Sequence, residues 1–485
     1  MKKIATYALL CACILGGYPA TAQEERVRWK IDPDYKHASP ATVEVWKDRK
    51  FGMMIHWGVY SVLGTEATPL QGASAEFIAL YRTLYEVFNP TGFDADEWAD
   101  LAVRAGMEHF VVTTKHPDGF SLWDTKTKTM GLRRSHGAQA RPGLGALEQC
   151  YIHYSMMDTP YKKDIVGALV QAFRKRGLAA GLYYAHVDWN DPDGRWDQYG
   201  STYDPGYTME SDPEGYMRFI NRQREQLREL CTNYGPLVEL WFDGFWPSRE
   251  PFKSNLVEIA KMMRKLQPEV MMNVRGIGPY GDFRSAEGGI PQGPTEPGKH
   301  EVLVEYQQTT TWEHVDVLGT GWAYSPNSVY RPMEWIVNTL VDVVAKGGTF
   351  MPAISPMSNG KFPPETLERL QHAGDWMRVN GEAIYKTRPW TIYKEGDDIR
   401  FTRSKDQKYL YAISLKWPGE KLVLKSVRAV PGSAVRMLGV KANLKWHQDA
   451  NGLAIEIPEA VAAKKPCKQA YSFKIEPQPY SAKYQ

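Results

Sequence analysis

Two carboxylates carry the chemistry that this chain offers. Asp243 closes the run Val238-Glu239-Leu240-Trp241-Phe242-Asp243-Gly244. An ionisable group that ends an apolar strand belongs at the mouth of a parallel sheet, where catalysis is placed. Its ordinary alternative is a helix N-cap or a loop anchor. Glu287 lies in Arg284-Ser285-Ala286-Glu287-Gly288-Gly289, which reads as a loop whose glycines let it fold over a ligand. Its ordinary alternative is a solvated loop acid. Two acids on neighbouring loops suit cleavage of a glycosidic bond. One attacks the anomeric carbon, and the other protonates the leaving oxygen and later activates water.

Other polar residues fall where strands end. His56 and Trp57 follow Phe51-Gly52-Met53-Met54-Ile55, and Lys115, His116 and Asp118 follow Phe110-Val111-Val112-Thr113-Thr114. Tyr184, His186 and Trp189 close the run Ala180-Gly181-Leu182-Tyr183-Tyr184. Arg275 ends Val270-Met271-Met272-Asn273-Val274, and Trp312 and Glu313 follow Val302-Leu303-Val304. A single histidine after a strand is usually a structural hydrogen-bonder. Recurrence at strand after strand instead describes a polar pocket walled by aromatic rings.

These runs alternate with helical patterns, such as Ile165, Val166, Leu169, Val170 and Phe173, or Leu256, Ile259, Met262, Met263 and Leu266. Strand–helix alternation implies a parallel sheet with crossover helices. Six or more such units without a phosphate-cradling glycine loop predict a closed (β/α)8-like, TIM-type barrel. After Tyr385 the helical periodicity stops. Lys408-Tyr409-Leu410-Tyr411-Ala412-Ile413 and Val435-Arg436-Met437-Leu438-Gly439-Val440 predict a C-terminal antiparallel β-sandwich. The expected division is a signal peptide over 1–22, a catalytic barrel over 23–387 and a β-sandwich domain over 388–485.

Composition bounds the rest. The 485 residues carry a formal net charge of +3 with no basic stripe, which speaks against nucleic-acid binding. Lys2 and Lys3, the apolar stretch Ile4 to Gly17, and Ala20-Thr21-Ala22 read as an export signal cleaved before Gln23. The expected location is periplasmic or secreted, with lipid anchoring at Cys13 as the alternative. No later stretch is long and apolar enough to span a membrane. Cys150, Cys231 and Cys467 remain after cleavage, too few and too scattered for a disulfide framework. No Cys-x-x-Cys or His-Glu-x-x-His motif suggests zinc.

Together these segments resemble glycoside hydrolase family 29, the α-L-fucosidases. The resemblance runs in order through Phe51-Gly52-Met53-Met54-Ile55-His56-Trp57-Gly58, Phe93-Asp94-Ala95-Asp96-Glu97-Trp98 and Lys115-His116-Pro117-Asp118-Gly119-Phe120. It continues through Glu239-Leu240-Trp241-Phe242-Asp243-Gly244, Trp312-Glu313, Trp322 and Tyr324, and Asn380-Gly381-Glu382-Ala383-Ile384-Tyr385. It implies a retaining exo-glycosidase that needs no metal or organic cofactor and releases α-linked L-fucose from a fucosylated glycan. Asp243 would be the nucleophile and Glu287 the acid/base, with Glu313 as the alternative. His56, His116, Tyr184, Trp241 and Arg275 match sugar-binding positions, and Trp57 and Trp322 would wall the side that takes the fucose methyl.

Two departures stand out. Pro117 replaces the second of two consecutive histidines, removing a side-chain donor and a backbone N–H. Pro352-Ala353-Ile354-Ser355-Pro356 replaces a Leu-Asn-Ile-Gly-Pro segment. Both sit at expected pocket edges. They leave open a related glycosidase acting on a sugar such as L-galactose, or a weakly catalytic carbohydrate-binding protein on the same barrel.

Overall fold

The computed structural model describes residues 31–67, 70, 73–134, 147–194, 206–207, 210–244, 250–291 and 311–480. The expected signal segment, Cys13 and the run Val302-Leu303-Val304 lie outside the described residues. So does the interval 292–310 of the glycine- and proline-rich loop.

Eight parallel strands form the central sheet. They are β1 (Gly52–Ile55), β2 (His109–Lys115), β5 (Ala179–Ala185), β6 (Glu239–Asp243), β7 (Met271–Met272), β8 (Arg284–Glu287), β9 (Trp312–Val317) and β10 (Thr349–Ile354). An antiparallel hairpin, β3 (Thr129–Arg134) with β4 (Leu147–Ile152), is inserted after β2. The spatial order is β7-β6-β5-β2-β1-β10-β9-β8, and a parallel bridge between Asn273 and Phe283 joins the two end strands. The sheet therefore closes on itself as a TIM-type barrel. Closure buries the edge N–H and C=O groups that an open sheet would expose.

Helices pack outside. The predicted helix at Ile165 is α4 (Ile165–Lys175); its N-cap Asp164 accepts from the Gly167 N–H, and Ile165, Val166, Leu169, Val170 and Phe173 are buried. Each buried side chain of that size contributes on the order of 1.5–3 kcal/mol. Equivalent positions are taken by α3 (Ala95–Ala105), α5 (Pro213–Asn233), α6 (Glu250–Leu266) and α7 (Trp335–Ala345), with α8 (Pro364–Asn380) following β10. Inside the barrel, Met54, Val111, Tyr183, Trp241, Met271, Phe283, Val315 and Met351 form one core. Trp46, on α1 (Pro40–Arg49), packs onto Phe283 in the same core, with ring centroids 4.9 Å apart.

Two readings change. Arg284–Glu287 is a barrel strand, not a loop, paired in parallel with β9 from Arg284↔Trp312 to Glu287↔Val315. Its polar residues concealed a period-2 pattern, in which Ser285 and Glu287 share the side that Phe283 gives to the core. Trp312 and Glu313 open β9 rather than follow a strand. Glu313 therefore sits at the end of the barrel opposite to the strand C-termini.

Eight further strands, β11 (Thr387–Glu395), β12 (Ile399–Ser404), β13 (Leu410–Ser414), β14 (Lys421–Leu424), β15 (Arg436–Met437), β16 (Trp446–Asp449), β17 (Gly452–Glu456) and β18 (Tyr471–Ile475), form a five-stranded antiparallel sheet, β11-β12-β13-β18-β15, facing a three-stranded one, β14-β17-β16. Phe401, Leu410, Leu422, Leu424, Leu453, Ile455 and Phe473 fill the space between them as a β-sandwich core. The first of these strands, β11, spans Thr387–Glu395. The run at Val435 yields only β15 (Arg436–Met437), because Gly439 turns the chain at φ +80.

Candidate active site

The C-terminal ends of the barrel strands surround a pocket lined by Met54, His56, His116, Tyr183, Trp241, Asp243, Glu287, Val315 and Trp322. The pocket is partly open to solvent.

Strand geometry decides which side chains arrive there. Alternate residues of a barrel strand face inward, so Trp241 and Asp243 of β6 share the interior with Tyr183 of β5. Tyr183 and Trp241 stack with centroids 5.4 Å apart and planes 14° from parallel. The Tyr183 hydroxyl donates to Asp243 Oδ2 at 2.7 Å, and the Gly244 N–H donates to Oδ1 at 2.8 Å. Arg275, just past β7, lies 5.0 Å over the Trp241 ring. Its Nη1 donates to Asp243 Oδ1 at 2.9 Å and to Glu287 Oε1 at 2.7 Å. One nitrogen thus holds both acids. Their two oxygens cannot stand farther apart than those two bonds laid end to end.

Electrostatics follow from this packing. Burial acts to raise the Asp243 pKa, but the Arg275 charge, the Tyr183 hydroxyl and the Gly244 amide outweigh it, and the net shift is downward. Asp243 is therefore held ionised, with its side chain 30% exposed in the mouth. Burial lowers His116 to about 4 and pushes His56 well below its usual range. Both rings are neutral at pH 7. Neither nitrogen of His56 has a hydrogen-bond partner, nor does Nδ1 of His116, so each can serve a polar ligand as donor or acceptor. The two rings meet edge to face at 4.8 Å.

Of the residues singled out in the sequence, Asp243, Glu287, His56, His116, Trp241, Arg275 and Trp322 come together here. Three do not. Tyr184 points out of the barrel, its hydroxyl donating to Gln226 Oε1 at 2.8 Å and its ring under Lys115 Nζ. The adjacent Tyr183 takes its place, a one-residue slip that strand alternation turns into opposite faces. Trp57 packs among Phe88, Phe93 and Trp98 and donates from Nε1 to the Met357 carbonyl at 3.1 Å. The apolar lining comes instead from Met54 and Val315, inward-facing positions that the strand period could have identified. Glu313 is fully buried at the other end of the barrel beside Glu239 and His109. Burial and the Glu239 charge push its pKa well up.

Among the loop residues after β2, Asp118 is buried under the Tyr81 hydroxyl, and Lys115 pairs with Asp188 at 3.1 Å. Pro117 contributes its carbonyl to the Trp189 N–H at 2.6 Å. This loop thus supplies one histidine to the pocket, His116.

Known proteins show the same architecture. The family model described as Alpha-L-fucosidase matches residues 19–382, and that described as Alpha-L-fucosidase C-terminal domain matches residues 394–476. Human plasma α-L-fucosidase is 27% identical over 475 residues, covering 92% of each chain. Among solved structures, α-L-fucosidase isoenzyme 1 from Paenibacillus thiaminolyticus superposes with a TM-score of 0.72 at 26% identity, over 90% of this chain and 99% of its own. The α-fucosidase of Thermotoga maritima gives 0.67 at 28% identity, over 88% and 96%.

Proposed function

The chain belongs to the α-L-fucosidase family of glycoside hydrolases, and from that premise we propose that it releases terminal α-L-fucose from fucosylated glycans by a retaining double displacement on Asp243. The observation that carries the reading is the single Arg275 nitrogen bonded to both Asp243 and Glu287. That spacing falls short of the roughly 6.5–9.5 Å that an inverting pair leaves for water and suits the roughly 5–5.5 Å of a retaining pair.

In the first step an Asp243 oxygen attacks the anomeric carbon as the bond to the leaving oxygen breaks. Glu287 supplies the proton that the leaving oxygen needs, and a glycosyl ester on Asp243 remains. In the second step Glu287 takes a proton from water, whose oxygen attacks the same carbon and returns Asp243 to its carboxylate. Arg275 has two duties. It keeps the nucleophile ionised, and sugar binding must loosen its hold on Glu287 before that acid can carry a proton. His56 and His116 would meet sugar hydroxyls as neutral rings. Met54, Val315 and Trp322 would face the C5 methyl. The export signal read over residues 1–22 would place the enzyme in the periplasm or outside the cell.

The test is hydrolysis of an aryl α-L-fucoside by the mature chain and by Asp243→Gly. The variant should lose at least about a hundredfold in kcat, because a covalent catalyst lowers the barrier by several kcal/mol. Added azide should restore turnover and give the β-L-fucosyl azide. Activity within tenfold of the parent would remove Asp243 from the role. Pro117 favours one variation, an enzyme that also accepts L-galactose. An apolar wall discriminates against an added hydroxyl by only on the order of 100-fold, so the ratio of kcat/KM for the two aryl glycosides decides between them.

A further inference from the structure

At the barrel end away from the pocket, three side chains from three strands converge without satisfying one another. His109 opens β2, Glu239 opens β6, and Glu313 is the second residue of β9. All three are at most 1% exposed. His109 Nε2 lies 3.9 Å from Glu239 Oε1 and 3.9 Å from Glu313 Oε2, too far for a hydrogen bond to either. One potential ligand atom from each residue falls within 4.8 Å of the other two. Neither nitrogen of His109 has a partner, and Glu239 Oε1 has none either.

The surroundings hold these groups in place without neutralising them. Trp46 Nε1 donates to Glu239 Oε2 at 2.8 Å, and the Thr349 hydroxyl donates to Glu313 Oε2 at 3.3 Å. Such contacts orient a carboxylate and leave its remaining lone pairs facing the centre. The imidazole fits only because position 52 is glycine, since a Cβ there would lie 2.3 Å from His109 Nε2. Among the described residues no lysine or arginine forms an ion pair with either glutamate; Arg49 is near enough to be felt electrostatically and bonds elsewhere. Two buried carboxyls with a third inward donor and no cation are costly in a low dielectric.

We propose that His109, Glu239 and Glu313 bind one divalent transition-metal ion, with zinc as the fitting member, fastening the closed end of the barrel. Two carboxylates, one neutral imidazole and a 2+ ion make a site of zero net charge. Imidazole with carboxylate oxygen is an established donor set for zinc. With bonds of roughly 2.0–2.2 Å the donors would stand roughly 3.4 Å apart, so binding brings each glutamate oxygen about half an ångström nearer the imidazole from the present 3.9 Å and draws together the two glutamate oxygens, which now lie within 4.8 Å of each other. The role is structural. In the sheet order β2 is separated from β6 by β5, and from β9 by β1 and β10. The ion would therefore tie strands across the barrel that the hydrogen-bond ladder leaves unconnected. No motif scan could find it, because the ligands are spread from position 109 to position 313. The site stands apart from the sugar chemistry, and its tests do not depend on turnover.

The experiment takes the full mature chain, purified without a metal-affinity column, and measures bound metal by mass spectrometry together with anomalous scattering from crystals. The expected result is about one zinc per chain, with an anomalous peak among the three side chains. Chain refolded in a chelator should melt several degrees lower and recover when zinc is added, since metal binding is coupled to folding. Glu239→Gln with Glu313→Gln should lower the metal content at least tenfold. Should that double variant fail to fold, His109→Gln gives the same readout. Three results overturn the proposal. They are a parent chain with under about 0.1 ion, identical melting after refolding with zinc or chelator, or an ion that the variants retain. The first two would mean that the glutamates instead share a proton and an ordered water.

Discussion

Arg275 links the two acids through one nitrogen, so its charge is divided between a group that must stay ionised and one that must carry a proton. Replacing it by glutamine removes the main influence that lowers the Asp243 pKa, leaving burial to raise it. The acidic limb of kcat/KM for Arg275→Gln should therefore move to higher pH, with a drop of about tenfold or more at neutral pH; an unmoved limb would mean that Arg275 does not set the nucleophile's charge. The neighbouring imidazoles link stability to acid in the same direction as a carboxylate whose pKa is lowered by folding. His116 titrates at about 4 in the folded chain against 6.5 when unperturbed, and burial holds His56 well below its usual range as well. As pH falls below about 6.5 the unfolded chain takes up protons that the folded chain refuses. Stability is then lost progressively down to the folded pKa, by up to about 1.4 kcal/mol per pH unit for each ring. Urea midpoints between pH 7 and 4.5 should fall, and His116→Gln should flatten that slope.

At the scale of elements, the return from β7 to β8 controls where Glu287 stands. No helix intervenes between these strands, only a short 3-10 turn over Gly278–Tyr280. The chain then passes so close to itself that a Cβ on Gly281 would lie 2.7 Å from the Val274 Cα and 2.8 Å from the Asn273 carbonyl carbon. Both contacts are backbone and cannot rotate away. Gly281→Ala should cost on the order of 1–3 kcal/mol, seen as a lower denaturation midpoint. It should also lower kcat, because β8 carries Glu287 and the nearby Arg275 belongs to the same return. A variant with unchanged midpoint and kcat would show that the return is slack. Asn273 reinforces the same junction, its side chain donating to the Phe242 carbonyl at 3.0 Å and accepting from the Phe242 N–H at 2.8 Å.

Across the whole molecule, the β-sandwich is seated on the barrel's outer helices. Arg400 pairs with Asp342 of α7, which Lys346 also holds at 2.8 Å. Arg388 pairs with Glu44 and Asp48 of α1, and Trp376 of α8 donates to the Ala470 carbonyl at 2.7 Å. None of these residues lines the pocket, so they hold the barrel's shell and leave its chemistry alone. Arg400→Leu should destabilise the chain by on the order of 1–3 kcal/mol, lowering the melting temperature with KM for the aryl fucoside unchanged. A shift in KM would instead connect the sandwich to the sugar site. We take the residues from 388 onward as a separate domain on this pattern of contacts.

The fold class, the helices with strong 3.6-residue periodicity, and the strand end that carries Asp243 are all legible in the order of residues. Those features are local: apolar period, capping residues and a charge placed after an apolar run depend on neighbours a few residues away. That order also brought Glu287, His56, His116, Trp241, Arg275 and Trp322 into consideration together. The face each side chain takes depends instead on packing between segments distant along the chain. Tyr183 rather than Tyr184 meets Asp243 because one residue along a strand reverses direction. Trp57 joins the outer layer by packing against Trp98, not through anything its own neighbours specify. The strand at Arg284 and the placing of Glu313 escaped a reading by apolar runs, since a strand that lines a polar interior carries polar residues. The convergence of His109, Glu239 and Glu313 likewise exists only once the barrel closes, because closure alone brings strands so distant in sequence within reach of one centre.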